Sequence, residues 1–264
     1  MLTFSHLNPI RFYKESELPD YSNTFPHFEN VTQRVEYVSG LNPASWYKDW
    51  LTGKTLGFQF QTDNAVGVTI DVYKLNGSNI YELIDSLLPT DITPIDWIGN
   101  TMLACFYTPT ADGLYQFKIG NATSDIISAI SSEKYSKLLV RVDYTNEGND
   151  FACILENFTF TDYVTGQLVN ASPEQDIEGF ESDRGDYTKI QTTPKRIANL
   201  NINELHRNYI DHFNMIFSCN YIRVNGIAMQ NPEAPSVELV EYSDLCNMVV
   251  KLQLKENIYS YDIS

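Results

Sequence analysis

The sequence has few basic residues. Its 264 residues include 18 Lys and Arg against 34 Asp and Glu, which gives a formal net charge of −16. Nucleic-acid binding needs a basic surface that faces the phosphates, and docking on an anionic membrane needs one as well. The charge therefore argues against specific nucleic-acid binding and against membrane insertion. The ordinary interpretation of the charge is solubility, and the alternative is a surface that repels DNA, which is useful where DNA must slide past without sticking. The prediction of no membrane insertion rests also on the absence of an apolar run long enough to span a bilayer.

The sequence also lacks cysteine spacings that signal a metal site and apolar runs long enough to span a bilayer. Cys105, Cys153, Cys219 and Cys246 form no C-x-x-C pair. Residues 1–10 contain no basic segment followed by a long apolar run, so we expect no secretory signal. We therefore predict free thiols, synthesis in a cytosol, no metal and no cofactor.

Catalytic signatures are missing too. The patterns G-x-S-x-G and H-E-x-x-H, a Walker P-loop and a dinucleotide fingerprint do not occur. His206 and His212 are six residues apart, so on a helix they would not share the face that a two-histidine metal site needs. Glu178 and Glu181 lie in a charged segment typical of a solvated loop rather than of a glycosidase pair. We predict a protein that is not an enzyme and has no catalytic residues.

Aromatic residues, by contrast, are abundant, with 17 Tyr and 14 Phe. Such residues favour strands. The alternation is clearest after the turn at Asp112-Gly113, where Tyr115, Phe117 and Ile119 alternate with polar residues. Residues 137–144 repeat the pattern. We predict that these two strands lie at the centre of a β-sandwich.

Other strands are predicted before and after this pair. Their ranges are 55–62, 66–75, 80–88, 101–108, 151–155 and 158–163. Asn76-Gly77 predicts a type I′ hairpin turn between the second and third of these ranges. The protein is therefore predicted to be mainly β, with a jelly-roll-like β-sandwich as its N-terminal domain over residues 1–170.

The composition changes near residue 170. Residues 171–189 are acidic and rich in turn residues, and we predict that they form a linker. Residues 190–264 are predicted to form a smaller α+β domain. Its predicted elements are a helix over residues 203–217, a hairpin turn at Asn225-Gly226 and strands at 237–242 and 248–254.

The three tryptophans are the candidate binding residues. Trp46 and Trp50 are four residues apart, so a helical turn would place them on one face. Tryptophan is enriched at protein interfaces and stacks well on other rings, sugars included. Trp46, Trp50 and Trp97 are thus candidates for interface or stacking contacts. For the first two, the structural alternative is an aromatic plug over one end of the sandwich.

Four segments carry a resemblance to a known group, namely residues 46–63, 113–125, 135–150 and 203–229. They resemble virion proteins of tailed phages that infect Bacteroidetes, such as the crAss-like podoviruses of the gut. Their shared features are patterns of aromatic and turn residues. None of these patterns is a catalytic signature, so no functional residue follows from the resemblance.

The resemblance implies a ring or neck component of a short tail. Such a protein is a non-enzymatic virion part, assembled in the cytoplasm of the bacterial host. It would form a homo-oligomeric ring, contact portal and other tail proteins, and let DNA pass through the lumen. Head-to-tail contacts are the kind that close rings. The alternative is a glycan- or receptor-binding β-sandwich module of a tail fibre or surface apparatus.

Overall fold

The computed structural model describes residues 2–14, 47–63, 66–76, 80–93, 101–131, 139–145, 158–181, 187–240 and 244–255. Strands dominate these ranges, and they contain a single short α-helix. The prediction of a mainly β protein is confirmed.

The first half of the chain contributes eleven of the described strands. They are β1 (Leu2–Phe4), β2 (Phe12–Lys14), β3 (Lys48–Leu51), β4 (Leu56–Thr62), β5 (Ile70–Leu75), β6 (Tyr81–Leu87), β7 (Thr90–Asp91), β8 (Thr101–Tyr107), β9 (Gly113–Ile119), β10 (Ala122–Ser124) and β11 (Ile127–Ile130).

These strands form two sheets that share one core. The first sheet has the order β1-β4-β8-β7, and the second has the order β2-β10-β9-β11-β3. Strand β5 pairs with the other edge of β9, and β6 pairs with β5. Phe58 and Phe60 of the first sheet pack in the same buried cluster as Tyr115 and Phe117 of the second. Burial of these alternating apolar residues stabilises both sheets at once.

The predicted strands of this half are largely confirmed, because their period-two pattern marks one buried face. In β9, Tyr115, Phe117 and Ile119 are buried while the residues between them are partly exposed. The hairpin pairing of β5 with β6 is also as predicted, with Leu75 opposite Tyr81. Gly77 of its Asn76-Gly77 turn and the strand predicted at 151–155 lie outside the described residues.

The second half of the chain holds seven strands and the helix among its described residues. The elements are β12 (Leu139–Thr145), β13 (Phe160–Glu181), β14 (Tyr187–His206), a 3₁₀ turn (Arg207–Tyr209), α1 (Ile210–Ser218), β15 (Tyr221–Val224), β16 (Ile227–Gln230), β17 (Ser236–Leu239) and β18 (Leu245–Leu254).

Six of these strands close into a single antiparallel sheet. The order is β14-β13-β12-β15-β16-β18, and β18 pairs again with β14. Strand β17 pairs with β18 beside β16. Apolar side chains of the sheet pack with the buried face of α1, which carries Phe213, Ile216 and Phe217. The hairpin turn at Asn225-Gly226 is confirmed, since both residues have positive φ (49° and 83°), as a type I′ turn requires.

The pairing of the strands does not follow the predicted domain boundary. Strand β12 pairs with β13 and β15, so it belongs to the closed sheet and does not lie beside β9 at the centre of a sandwich. The acidic residues predicted as a linker over 171–189 lie largely within β13 and β14, which pair with each other from Gly166 to Glu181. Acidic and turn-forming residues disfavour strands only weakly, and the cross-strand pairing overrides that preference.

The helix begins later than predicted. The predicted range was 203–217, but β14 continues to His206 and α1 covers Ile210–Ser218. Leu205, Tyr209, Phe213 and Ile216 are all buried, as their spacing indicated, although Leu205 is buried from a strand. No helix in the described ranges is long and apolar enough to span a membrane.

Candidate functional site

Trp50 lies in the core and is not available for stacking or for an interface. Its side chain is fully buried, and its indole N–H donates a hydrogen bond of 2.9 Å to the Lys54 carbonyl. Its ring meets that of Tyr163 edge-on at 4.9 Å between centroids. The residues around Trp50 form strand β3 rather than a helical turn. Trp46 and Trp97 lie outside the described residues.

The described cysteines are buried thiols. Cys105, Cys219 and Cys246 are free, and burial raises their pKa values to about 12, 12 and 11. Such thiols stay protonated at neutral pH and pack as small apolar groups. Across the described ranges, no group of three His, Cys, Asp or Glu side chains is placed to hold a metal ion.

A cluster of three buried ionisable side chains joins the two halves of the chain. Lys48 of β3 places its Nζ atom 2.8 Å from Oδ1 of Asp162 in β13, and these side chains are 3% and 0% exposed. Nε2 of His212 in α1 lies 3.8 Å from Oδ2 of the same aspartate. Neither Asp162 Oδ2 nor His212 Nε2 has a hydrogen-bond partner in the described structure. We call Lys48, Asp162 and His212 the junction cluster.

Aromatic rings enclose the junction cluster. The Lys48 Nζ atom lies 5.3 Å from the ring centroid of Tyr209 and 5.0 Å from that of Phe213. Both distances are within the range of cation–π attraction. Tyr144 is fully buried, and burial first and the nearby Asp162 charge second raise the pKa of its hydroxyl group well above its usual value. The cluster therefore lies in a dry, weakly screening environment.

Strand β3 is held against β13 at each of three successive residues. Lys48 donates to the Tyr163 carbonyl as well as pairing with Asp162, at 3.4 Å. Asp49 accepts a short hydrogen bond from the Thr165 hydroxyl, and Trp50 packs against Tyr163. A second link lies nearby, where the Tyr209 hydroxyl donates to the Asp125 carboxylate. These contacts fix the first half of the chain to the second.

His206 begins the turn that leads into α1. Its Nδ1 atom accepts a hydrogen bond of 3.2 Å from the Asn208 N–H, so the ring acts as an N-cap. Burial lowers the pKa of His206 to about 4, because the charged imidazolium is poorly solvated there. The folded protein therefore holds this residue neutral at pH values where the unfolded chain already binds a proton.

This difference gives a pH dependence of stability. Between about pH 6.5 and pH 4 the unfolded chain binds a proton at His206 that the folded protein does not. We therefore expect the contribution of neutral His206 to the free energy of unfolding to be complete above pH 6.5 and to be lost as the pH falls towards 4. Urea titrations at several pH values measure it. His206→Asn keeps a capping acceptor but cannot titrate, so it should show a shallower decline than the wild type. If the wild type and His206→Asn lost stability equally as the pH fell, His206 would not be the source of the pH dependence.

The second sheet ends at an edge strand, β6, that carries exposed apolar residues. Strand β6 pairs with β5 on one edge only, and no described strand covers its other edge. Leu83 and Ile84 are adjacent and 54% and 47% exposed, so both faces of the strand contact solvent. Ile80 and Leu88 flank them and are also exposed. Glu82 and Asp85 are exposed on the same strand, so the edge is mixed. Exposed apolar side chains on an unpaired edge favour contact with other chains.

A pair of strands extends beyond the closed sheet. Residues 173–181 of β13 pair only with residues 187–196 of β14, whereas β12 pairs with β13 no further than Thr165. Strand β18 pairs with β14 only from Ile197 onward. Nine residues of strand span about 30 Å. We call residues 173–181 and 187–196 the extended ribbon.

Sequence reasoning missed both the junction cluster and the extended ribbon. The spacing of His206 and His212 in the sequence bears only on metal binding, and neither Lys48 nor Asp162 lies in a recognisable motif. The alternation of Glu174, Asp176 and Glu178 with uncharged residues is a period-two signal that could have indicated a strand. The cluster itself had no local signal, because its members come from distant parts of the chain.

The comparisons with known proteins do not assign this chain to a family. A scan against models of protein families gave no match, and a search of curated proteins gave none either.

Proposed function

We propose that this chain is a non-enzymatic structural component of a phage virion, and that it assembles as a homo-oligomeric ring in the tail or neck through which DNA passes. The other tail and portal proteins would be its partners, and the assembled virion its location. The proposal follows the resemblance of the sequence to virion proteins of Bacteroidetes-infecting phages. The observation that carries it in the structure is the extended ribbon.

The extended ribbon favours assembly because no third strand pairs with it in the described structure. A two-stranded ribbon without a third strand or a packed face is at best marginally stable in water. Residues 173–181 and 187–196 have only each other as strand partners in the described structure. Contact with a neighbouring protomer would supply the missing support. A projection that reaches a different surface on the next copy makes the heterologous contact from which rings are built.

The β6 edge supplies an apolar surface of the kind that such a contact needs. Its exposed Leu83 and Ile84 are hydrophobic, whereas the chain as a whole is strongly acidic. Acidic protomers repel each other over a distance, so their contact faces must be apolar or paired. The same negative charge keeps sliding DNA from adhering to a lumen. Charge and apolar edge together fit a ring around DNA.

We propose that the two sheets of the first half form a jelly-roll-like β-sandwich, since both contribute to one core. The closed sheet with its single helix would be the smaller α+β domain. Such rigid units suit a protein whose role is to hold other chains in fixed positions.

The test is the mass of the full-length protein in solution and its appearance in electron micrographs. We expect the wild type to form a closed oligomer. Replacing residues 175–194 by Asn-Gly removes the ribbon and closes a tight hairpin at the Glu174–Lys195 pair. We expect this variant to be a folded monomer, because the contact between protomers is lost while both cores remain. A monodisperse wild-type monomer would contradict the proposal.

The β6 edge is tested separately. Lysine on an edge strand opposes pairing with another strand, so we expect Leu83→Lys to weaken or abolish the oligomer. Ser236→Lys adds the same charge at an exposed position of β17 in the other half of the chain and is the matched control. Equal effects of the two substitutions would show that charge alone, and not the β6 edge, controls assembly.

Glycan binding is the alternative, and one feature favours it. An open cavity of about 410 Å³ lies beside β4 and β9, with Asp63, Thr69 and Asn121 among its polar groups and Leu2 and Ile119 among its apolar ones. Polar groups beside an apolar floor can hold a sugar ring. Binding on a glycan array that Asn121→Ala abolishes would favour this alternative over the ring.

A further inference from the structure

We propose that Lys48 and Asp162 form an intramolecular amide cross-link, by condensation of the lysine amine with the aspartate carboxyl group and release of one water molecule. The inference goes beyond the proposed ring and does not depend on it. It rests on the junction cluster, where a nucleophilic nitrogen, a carboxyl group and a proton carrier meet in a buried, aromatic site.

The energetics favour the condensation. A buried ion pair has lost the hydration of both charges, and its mutual attraction often fails to compensate for that loss. Lys48 and Asp162 are 3% and 0% exposed and lie among the rings of Tyr209 and Phe213. An amide carries no charge, so its formation removes both desolvated ions. Amide formation is uphill in bulk water, but a site that excludes water opposes the reverse hydrolysis.

The geometry places the reacting atoms within reach. Lys48 Nζ lies 2.8 Å from Asp162 Oδ1, which is bonded to the carboxyl carbon. The nitrogen is therefore near the separation of roughly 3–3.5 Å from which bond formation begins. The Tyr163 N–H donates a hydrogen bond of 2.6 Å to the same Oδ1 atom. That donor would stabilise the negative charge that develops on Oδ1 during attack, as an oxyanion hole does.

His212 is placed to move the proton. Its Nδ1 atom lies 3.0 Å from the His6 carbonyl oxygen, which can only accept a hydrogen bond, so Nδ1 carries the hydrogen. In the neutral ring, Nε2 is then the acceptor. Nε2 faces Asp162 Oδ2 at 3.8 Å, and neither atom has another hydrogen-bond partner in the described structure. Oδ2 is therefore the oxygen that leaves.

The step balances without any other reactant. The Lys48 ammonium group loses one proton, which ends on Oδ2 of Asp162, and this gives an amine and a carboxylic acid protonated on Oδ2. The amine nitrogen attacks the carboxyl carbon and forms the new C–N bond. A second nitrogen proton passes through His212 Nε2 to Oδ2, the C–Oδ2 bond breaks, and Oδ2 departs as water. Oδ1 remains as the amide oxygen, and the amide nitrogen keeps the last proton.

A small cavity beside the cluster can take up the product water. It has a volume of about 20 Å³ and is lined by Lys48 together with Asp49, Thr165, Asn203 and Glu204. A cavity of roughly 10–15 Å³ is enough for one water molecule where polar partners are present. The cavity borders Lys48, so it lies close to the site of condensation.

The intact mass of the denatured wild-type protein is the decisive measurement. We expect it to be lower than the sequence mass by one water molecule. Trypsin should fail to cleave after Lys48, and the digest should contain a branched peptide that joins Lys48 to Asp162. A wild-type protein of full sequence mass, with ordinary cleavage after Lys48, would overturn the proposal. This measurement needs no variant, so it stands even where a substitution prevents folding.

Variants locate the bond and test the proton carrier. Lys48→Met should have the full mass calculated from its own sequence. Lys251→Met, which removes a partly exposed lysine near Glu174, should still be one water molecule lighter than its sequence mass. Cyclisation at Asp112-Gly113 would also lose one water, but Lys48→Met would not reverse it. His212→Gln should lower the rate of cross-linking after refolding at least tenfold and flatten its pH profile. An unchanged rate would remove His212 from the mechanism.

Discussion

Replacing Trp50 by alanine is expected to lower the free energy of unfolding by about 3–5 kcal/mol. The indole is fully buried in the core shared by the two sheets of the first half. Its removal leaves a cavity, loses the edge-on contact with Tyr163 and leaves the Lys54 carbonyl without its indole donor. Since whole domains are stable by only about 5–15 kcal/mol, the loss is large.

Urea denaturation measures this loss as a lower midpoint with an unchanged slope. Phe106→Ala is the matched control, because Phe106 is an aromatic residue that is 53% exposed, and we expect it to cost about 1 kcal/mol or less. If Trp50→Ala unfolded at the same urea concentration as the wild type, the burial of Trp50 would be contradicted. If the glycan alternative holds, any loss of binding in Trp50→Ala should follow the loss of folded protein.

The strands of the first half could be predicted because their signal is local. Alternating apolar residues mark a buried face wherever a sheet has one side in the core. Strands β4, β8 and β9 each show this alternation or a continuous apolar run, and their bounds lie close to the predicted ranges. The hairpin turn at Asn225-Gly226 was predictable for the same reason, since two adjacent residues determine it.

The grouping of strands into sheets had no such signal. The sequence shows that residues 139–145 form a strand, but not that they pair with β13 and β15 rather than lie beside β9. Pairing is decided by contacts between residues far apart in the chain. The acidic segment 171–189 was predicted as a linker for a related reason. Charged and turn-forming residues are typical of a linker, and a two-stranded ribbon can have the same composition.

The junction cluster was beyond sequence reasoning altogether. Lys48, Asp162 and His212 come from β3, β13 and α1, and charged residues are usually solvated. Only the fold shows that β3 is an edge strand packed against β13. Once the fold is known, the burial of an ion pair among aromatic rings is unusual enough to need an explanation. A covalent bond at this point would tie the two halves of the chain together.

Replacing Gly166 by alanine is the second large effect we expect, a loss of about 3 kcal/mol or more. A Cβ atom at Gly166 would lie 2.2 Å from the Asn201 carbonyl oxygen and 3.1 Å from the Ile202 Cα atom. Both are backbone atoms of β14, so no side chain can move aside. The strands must separate just beyond Thr165, where β12 stops pairing with β13. The loss of strand pairing is therefore expected near the base of the extended ribbon.

Gly57→Ala is the matched control, because its new Cβ atom would meet only side chains, the nearest being the Phe106 ring at 3.2 Å. Phe106 is half exposed and can turn away, so we expect a cost of about 1 kcal/mol or less. Urea denaturation compares the two variants, and solution mass shows whether Gly166→Ala also fails to assemble. Equal stability losses would mean that β13 and β14 are further apart at Gly166 than described. A stable but monomeric Gly166→Ala variant would instead link the register of the ribbon directly to the contact between protomers.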